Sequence, residues 1–417
     1  MTPTDSLSRN PETGRVQVMS RAELAGCVRW TQSFSGERKD LRYYELLEDT
    51  LRHGYEYRYF AVVEPGGAIS AIQPFFLIEQ DLIVGAGPGI SVVVRKVRRL
   101  WPRFLKLRTL MVGCVTGEAQ LDARCEETAR SLSRLLSEHI ARHAARQGAS
   151  LIVLKEFPAR YRDPLEAFVA RGFKRIPSMP MTRLNIDYAS FDDYMTKALN
   201  SATRKKLRKK FQAAAAAPPI ELSIVSDLKP YIDEVYPLYL QVYRRSRLHF
   251  EKLTRDYFSE LGRAAGDKAK FFLWRQGGSI VAFCACLTHG DSFYAEYVGF
   301  DYRVALDQHL YHYVVRDMIT WAIGNKFKWF RSSGLNYDPK LHLRHQLDPV
   351  DLYVKHVSPI GNAIIHRLLP WIEPVRQDKT LPKFANYSDL WAEPRKPPPM
   401  AGETASDEQV APTFASG

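Results

Sequence analysis

The stretch KFFLWRQGGSIVAFCACLTHGDSFYAEYVGF, residues 270–300, reads as three β-strands in succession. Lys270 to Trp274 is extended, Gln276-Gly-Gly278 makes a turn, and Ser279 to Thr288 runs back. Gly290-Asp291 is a second turn, and Ser292 to Gly299 is the third strand. Ala305 to Asn325 then carries apolar residues at helical spacing, and Lys328 to Arg331 is extended again. Upstream, Phe191 to Gln212 reads as one helix and Leu228 to Arg247 as another, with a stripe of Tyr231, Val235, Tyr239, Val242 and Tyr243.

Working outward, the same order occurs earlier in the chain. Tyr57 to Val63 and Ala68 to Ile78 flank a Glu64-Pro-Gly-Gly67 turn, and Thr109 to Val115 is a third strand. Glu126 to Gln147 is an amphipathic helix with Leu132, Leu135, Leu136, Ile140 and Ala144 on one face, ending at Gly148. Leu151 to Leu154 is a short strand, Pro164 to Arg171 a helix, and Phe173 to Ile176 and Thr182 to Ile186 are extended. Two mixed α/β domains of one kind follow. The expected divisions are a loose arm over 1–15, one domain over 16–185, a second over 186–376, and an extension with a disordered tail over 377–417.

The 417 residues include 59 Lys and Arg against 46 Asp and Glu, a net charge of +13. That balance favours an anionic partner: a phosphorylated co-substrate, a nucleic acid or a membrane surface. Hydrophobic residues at 45% and charged residues at 25% exclude a mostly disordered or collagen-like chain. Cys27, Cys114, Cys125, Cys284 and Cys286 are too scattered for a disulfide framework or a zinc site, so no metal is expected and a cytoplasmic location is. The polar opening to Arg15 is unlike a secretory signal, and no apolar run is long enough to span a bilayer. Ile360 to Val375 has a short apolar face, read either as docking onto the domains or as a weak membrane-surface contact.

Ser190-Phe-Asp-Asp-Tyr194, followed by Leu199-Asn-Ser-Ala-Thr-Arg-Lys-Lys-Leu-Arg-Lys-Lys210, resembles the opening of the BioF2-like and Fem-like acyltransferases. Tyr294-Ala-Glu-Tyr-Val-Gly-Phe300, His309-Leu-Tyr-His-Tyr313 and Ser333-Gly334 keep the same order, and Phe168-Val-Ala-Arg-Gly-Phe173 resembles an acetyltransferase helix ending. The resemblance, over about residues 50–360, implies two tandem GNAT-like domains with mixed, splayed sheets. It also implies transfer of an acyl group from acyl-CoA to a small-molecule or peptide amine. An alternative is a Fem-like enzyme drawing on aminoacyl-tRNA, and a third is a non-catalytic binding module. The family's glycine-bearing phosphate loop is replaced by Thr116–Asp122, with one glycine, and Asp301–Asp307, with none.

Acyl transfer to an amine needs a proton acceptor, donors to the oxyanion, and an acid for the leaving group. Glu296, between Tyr294 and Tyr297, is the candidate base; a salt-bridged Glu is the plainer reading. Asn336 is the candidate oxyanion donor, and the resemblance makes Tyr337 the acid, beside the small-residue turn at Ser333 and near Lys340. Asp301 and Arg303 precede a helix start that favours anions, and His309 and His312 share a face of that helix. Arg204, Lys205, Lys206, Arg208 and Lys209 form a basic patch for coenzyme A phosphates, tRNA or anionic lipid, or a solvated face.

Overall fold

The structure is a computed structural model that describes residues 14–81, 96, 98–99, 106–215, 217–246 and 250–394. The expected disordered tail beyond Arg395 and the first 13 residues lie outside this set. Fourteen strands among the described residues form two seven-stranded sheets. In chain order they are β1 (Arg15–Met19), β2 (Glu56–Val63), β3 (Ile69–Asp81), β4 (Lys106–Gly113), β5 (Leu151–Pro158), β6 (Lys174–Pro177) and β7 (Met181–Asn185). The second set is β8 (Ile220–Val225), β9 (Ala269–Gln276), β10 (Ser279–His289), β11 (Ser292–Phe300), β12 (Trp329–Ser332), β13 (Gln346–Asp348) and β14 (Val350–His356).

The first sheet runs β1-β2-β3-β4-β5-β14-β6 and the second β8-β9-β10-β11-β12-β7-β13. The two orders are the same pattern, with one parallel pair in each: β4 with β5, and β11 with β12. All other neighbours are antiparallel. The sixth position of each sheet is filled by the other half of the chain. The expected boundary at 185 therefore does not separate the sheets: 181–185 crosses into the second, and 350–356 crosses back into the first. The crossings lie together, with Ser178 N–H donating to the Val350 carbonyl at 2.9 Å and Ala159 N–H to the Pro349 carbonyl at 3.0 Å.

Each sheet buries an outer face under a long helix, with shorter helices joining the same core. Glu126–Arg146 covers the first, with Glu126 and Glu127 in its first turn and His143 and Arg146 in its last, where they complement the dipole. Leu310–Gly324 covers the second through Leu310, Val314, Val315, Met318 and Ile319. Between the sheets, the helices Leu41–Thr50, Ile232–Arg245 and Arg255–Ala265 share one apolar core with residues of both halves, among them Phe76, Met111, Val153, Leu238, Phe258 and Phe283. Gly299 lets the 232–245 helix press onto β11, because a Cβ there would meet Leu238 backbone at 2.7 Å and the Phe283 ring at 2.3 Å.

Several expected elements differ. Arg15, expected at the end of the loose arm, instead opens the edge strand Arg15–Met19 on β2. The expected helix from 191 to 212 is two, Phe191–Ala198 and Ser201–Ala215: Leu199 is extended, and the Asn200 side chain accepts from Thr203 N–H at 2.8 Å to start the second. The helix expected from Ala305 begins at Leu310, after a run of turns that ends with His309 in the left-handed conformation. The extension is packed as far as it is described: Val375, Leu381, Phe384 and Leu390 bury against Tyr337 and Leu347. Arg162 holds it, donating to the carbonyls of Asp389 and Leu390 while paired with Asp351 at 2.6 Å.

Candidate active site

The parallel pair of the second sheet ends at Ala295 and Ser332. One further bond, Ser333 N–H to the Ala295 carbonyl at 3.4 Å, closes the ladder, and beyond it β11 and the chain after β12 part. At that level β11 bulges: Ala285 of β10 faces Tyr297 and Cys286 faces Ala295, leaving Glu296 as the extra residue. A bulge bends the strand and re-aims its side chain.

Glu296 turns to the inner face of the sheet and forms an ion pair with Arg38 from the first half of the chain. The Arg38 guanidinium also meets Glu118 at 2.5 Å and lies 4.1 Å over the Tyr294 ring, with only 5% of Arg38 exposed. One cation thus holds two carboxylates, and against the upward pull of burial its charge keeps Glu118 below the usual carboxylate value. Tyr297 donates to Glu251 Oε1 at 3.0 Å, and burial pushes both of these groups upward. A second cation, Arg331, pairs with Asp348 and lies 5.6 Å from the centroid of the Tyr294 ring.

The outer face has a cleft of about 420 Å³ lined by Lys206, Lys210, Tyr311, His312, Asn336, Asp338 and His342, among others. Lys210 Nζ abuts His312 Nε2, and His312 Nδ1 has no partner. Burial first, then Lys210, pushes His312 down to about 4. Burial and neighbouring Lys206 push Lys210 down as well. Basic groups crowded in this way are relieved by an anion.

The turn between the two faces is strained. Leu335 and Asn336 both have positive φ, 71° and 48°. Gly334 lies against the crossing: a Cβ would come within 3.2 Å of the Pro180 carbonyl and 3.3 Å of Met179's. Lys340 fixes the turn by donating to the carbonyls of Ser333 at 2.5 Å and Leu335 at 2.9 Å. Burial lowers Lys340 to about 7. His345, buried beside it with both ring nitrogens unpartnered, is pushed down to about 3.

The expected residues therefore separate. Glu296, Tyr294 and Tyr297 line the inner face at the parting; His312, Asn336 and Lys206 line the outer cleft. Ser333 and Lys340 shape the turn between them. Tyr337 is not free to act as an acid: it is buried against Leu347 and Phe384, and its hydroxyl donates to the Pro180 carbonyl at 2.8 Å. Asp301 and Arg303 do not form an open anion site, because the guanidinium is turned back on the carboxylate at 2.6 Å, which holds Asp301 low. His309 is exposed ahead of the helix rather than on its face. Arg204 caps the preceding helix by donating to the carbonyls of Thr196 and Leu199, whereas Lys205, Arg208 and Lys209 are exposed. Arg38, Glu118 and His342 escaped the sequence reading, whereas Lys210 closes the basic run it singled out. Arg38 belongs to the charged run Glu37-Arg38-Lys39-Asp40, which in isolation reads as a solvated loop.

Residues 201–340 match the family model of an acetyltransferase (GNAT) domain. No curated protein matches the chain in sequence. Similar solved structures include L-PGS from Bacillus licheniformis, at 12% identity and a TM-score of 0.47 over 82% of this chain and 99% of that one. FemX is 11% identical, with a TM-score of 0.48 over 81% and 96%. A tandem GNAT protein from the clavulanic acid biosynthesis pathway is 12% identical, with a TM-score of 0.43 over 83% and 99%. Because the first sheet repeats the strand order of the matched one, the chain carries two GNAT-like α/β domains. Among the described residues, no cluster of His, Cys, Asp and Glu suited to a metal is present, and no helix is long and apolar enough to cross a membrane.

Proposed function

We propose that the chain is an N-acyltransferase whose second sheet carries the reaction, with acyl-CoA as donor and an amine as acceptor. The observation behind this reading is the parting of β11 from β12 with a carboxylate on one side and a basic cleft on the other. Lys206, Lys210 and His312 would take the donor's phosphates, replacing the absent glycine loop with side-chain charge. The acyl end would then reach the inner face through the parting. There the amine nitrogen attacks the thioester carbonyl, main-chain N–H groups of β11 beyond Ala295 receive the oxyanion, and the C–S bond breaks. Glu296, directly or through water, takes the proton that the attacking nitrogen sheds, and the departing thiolate is protonated from solvent. The ion pair with Arg38 would hold Glu296 in place for that step.

Thiol release from acetyl-CoA with a panel of amines, alongside calorimetry with coenzyme A, tests this. Binding that is lost in Lys206→Glu, with release that is lost in Glu296→Gln, is the expected pattern. Absence of both binding and release rejects the donor. The exposed cations Lys205, Arg208 and Lys209 beside the cleft favour a second reading, in which the donor is aminoacyl-tRNA. Charged-tRNA filter binding with a steep salt slope would select it.

A further inference from the structure

The helix Pro359–Ile372 carries an apolar stripe that the reaction does not use. Ile360, Ile364 and Leu368 are 75%, 55% and 51% exposed. They lie at i, i+4 and i+8, one face of a helix, over a length of about 12 Å. The opposite face is docked, with Leu369 in the shared core and Ile365 packed on it. The helix is held in this orientation. Ser358 caps it, and the Asn362 side chain accepts from His356 N–H at 2.9 Å and donates to the Gly172 carbonyl at 3.0 Å. Gly361 permits the close seat: a Cβ there would come within 2.3 Å of the His356 ring. The other exposed large apolar residues among those described, Val28, Leu222, Phe250 and Leu306, lie on separate elements.

The stripe has a basic border. Arg367 is exposed on the same helix, Lys174 donates to the His366 carbonyl, and Lys355 donates to the Arg171 carbonyl. Arg171 is itself paired with Glu138 at 2.6 Å. We infer that this face lies on an anionic lipid bilayer, with the three aliphatic side chains among the acyl-chain ends and the basic border against acidic headgroups. The border, on a chain of net charge +13, supplies the charge complementarity that selects such a surface over a neutral one. Fourteen residues, about 21 Å of helix, can lie in the interface but cannot span it.

Sedimentation of the full chain with vesicles tests this, using equal parts phosphatidylglycerol and phosphatidylcholine against phosphatidylcholine alone. Binding should require the anionic lipid. It should weaken by at least ~tenfold in the Ile364→Glu, Leu368→Glu double variant, and by a few-fold in Arg367→Glu or at raised salt. The milder Ile364→Ser, Leu368→Ser pair, with an unchanged urea midpoint, controls for folding. Failure to bind anionic vesicles overturns the inference. So does equal binding by the double variant, which would move the affinity to another surface such as the basic helix at 201–215. Sedimentation velocity showing that the substitutions dissolve a wild-type dimer also overturns it, in favour of a second copy of the chain.

Discussion

The two partings of parallel strands are built alike and finished differently. In the first sheet, β4 leaves β5 after Gly113 and Lys155, but its own loop fills the gap. Ala119 N–H donates to the Glu156 carbonyl at 2.9 Å, and Lys155 Nζ reaches the Gly117 carbonyl at 3.3 Å. Buried Lys39 ties down the same loop through the carbonyls of Thr116 and Glu118. Gly113 has a φ of 126°, and a Cβ there would stand 2.7 Å from that of Ala119. In the second sheet the corresponding edge of β11 has a bulge, a strained turn and a basic cleft around it. The first domain thus gives up its own opening and lends Arg38 and Glu118 to the other.

The largest effect that would break this comparison is catalytic. Glu296→Gln keeps the shape and removes the proton acceptor, so kcat should fall ~10²–10⁴-fold with donor affinity unchanged. A comparable loss from Glu118→Gln would mean that the inner face works as a carboxylate pair. Next is Arg38→Ala. It leaves Glu118 and Glu296 facing each other without their cation, and the loss of one partner of a buried pair costs about 3–5 kcal/mol. Urea unfolding should show that loss. A change below ~1 kcal/mol would mean that the first domain does not brace the second site.

A titration sharpens the comparison further. His345 titrates near 3 in the folded chain, against an ordinary value of 6.5, because burial and Lys340 disfavour its charge. Its folded value is depressed, so the unfolded chain binds the extra proton between those limits and stability falls as pH drops below 6.5. From pH 7 to pH 5 this amounts to about 2 kcal/mol. His345→Leu should flatten that slope in urea midpoints measured at both pH values. An unchanged slope places the proton elsewhere, His312 being the next candidate. In the closed domain, Gly113→Ala introduces a Cβ at positive φ against Ala119. It should cost about 1–3 kcal/mol of stability and leave kcat unchanged.

Much of this contrast was legible in the sequence. Alternation and turns marked the strands that line each parting, and the repeat of strand–strand–strand–helix–strand revealed two domains of one kind. The exchange of β7 and β14 was not legible, because a short apolar strand carries no record of which sheet it joins. Glu296 could be picked by its place in an aromatic strand, but its partner could not: Arg38 is more than 250 residues away, in a run of four charges. Tyr337 misled for the converse reason. Its position after β12 suggested an open site, and only the docked extension at 381–390 shows that the ring is covered. The sequence offers Lys340 as a donor contact or a solvated lysine, and neither reading foretells the two carbonyls it holds in the turn.

The smallest expected effect bears on that same difference between local and tertiary information. Arg303 was attractive because it precedes the long helix, where main-chain amides gather positive potential. The structure places its guanidinium in solvent and turns it back on Asp301, two residues away, so its charge is already matched locally. Removing an exposed, local pair of this kind barely changes stability. Arg303→Ala should therefore leave both the urea midpoint and the calorimetric affinity for coenzyme A within error, while Lys210→Ala on the cleft wall weakens that affinity ~tenfold or more. If Arg303→Ala weakened the donor as much as Lys210→Ala, the phosphates would have to lie at the turns of 301–309. The outer cleft would then be a separate site, and the open parting would be reached from the opposite end.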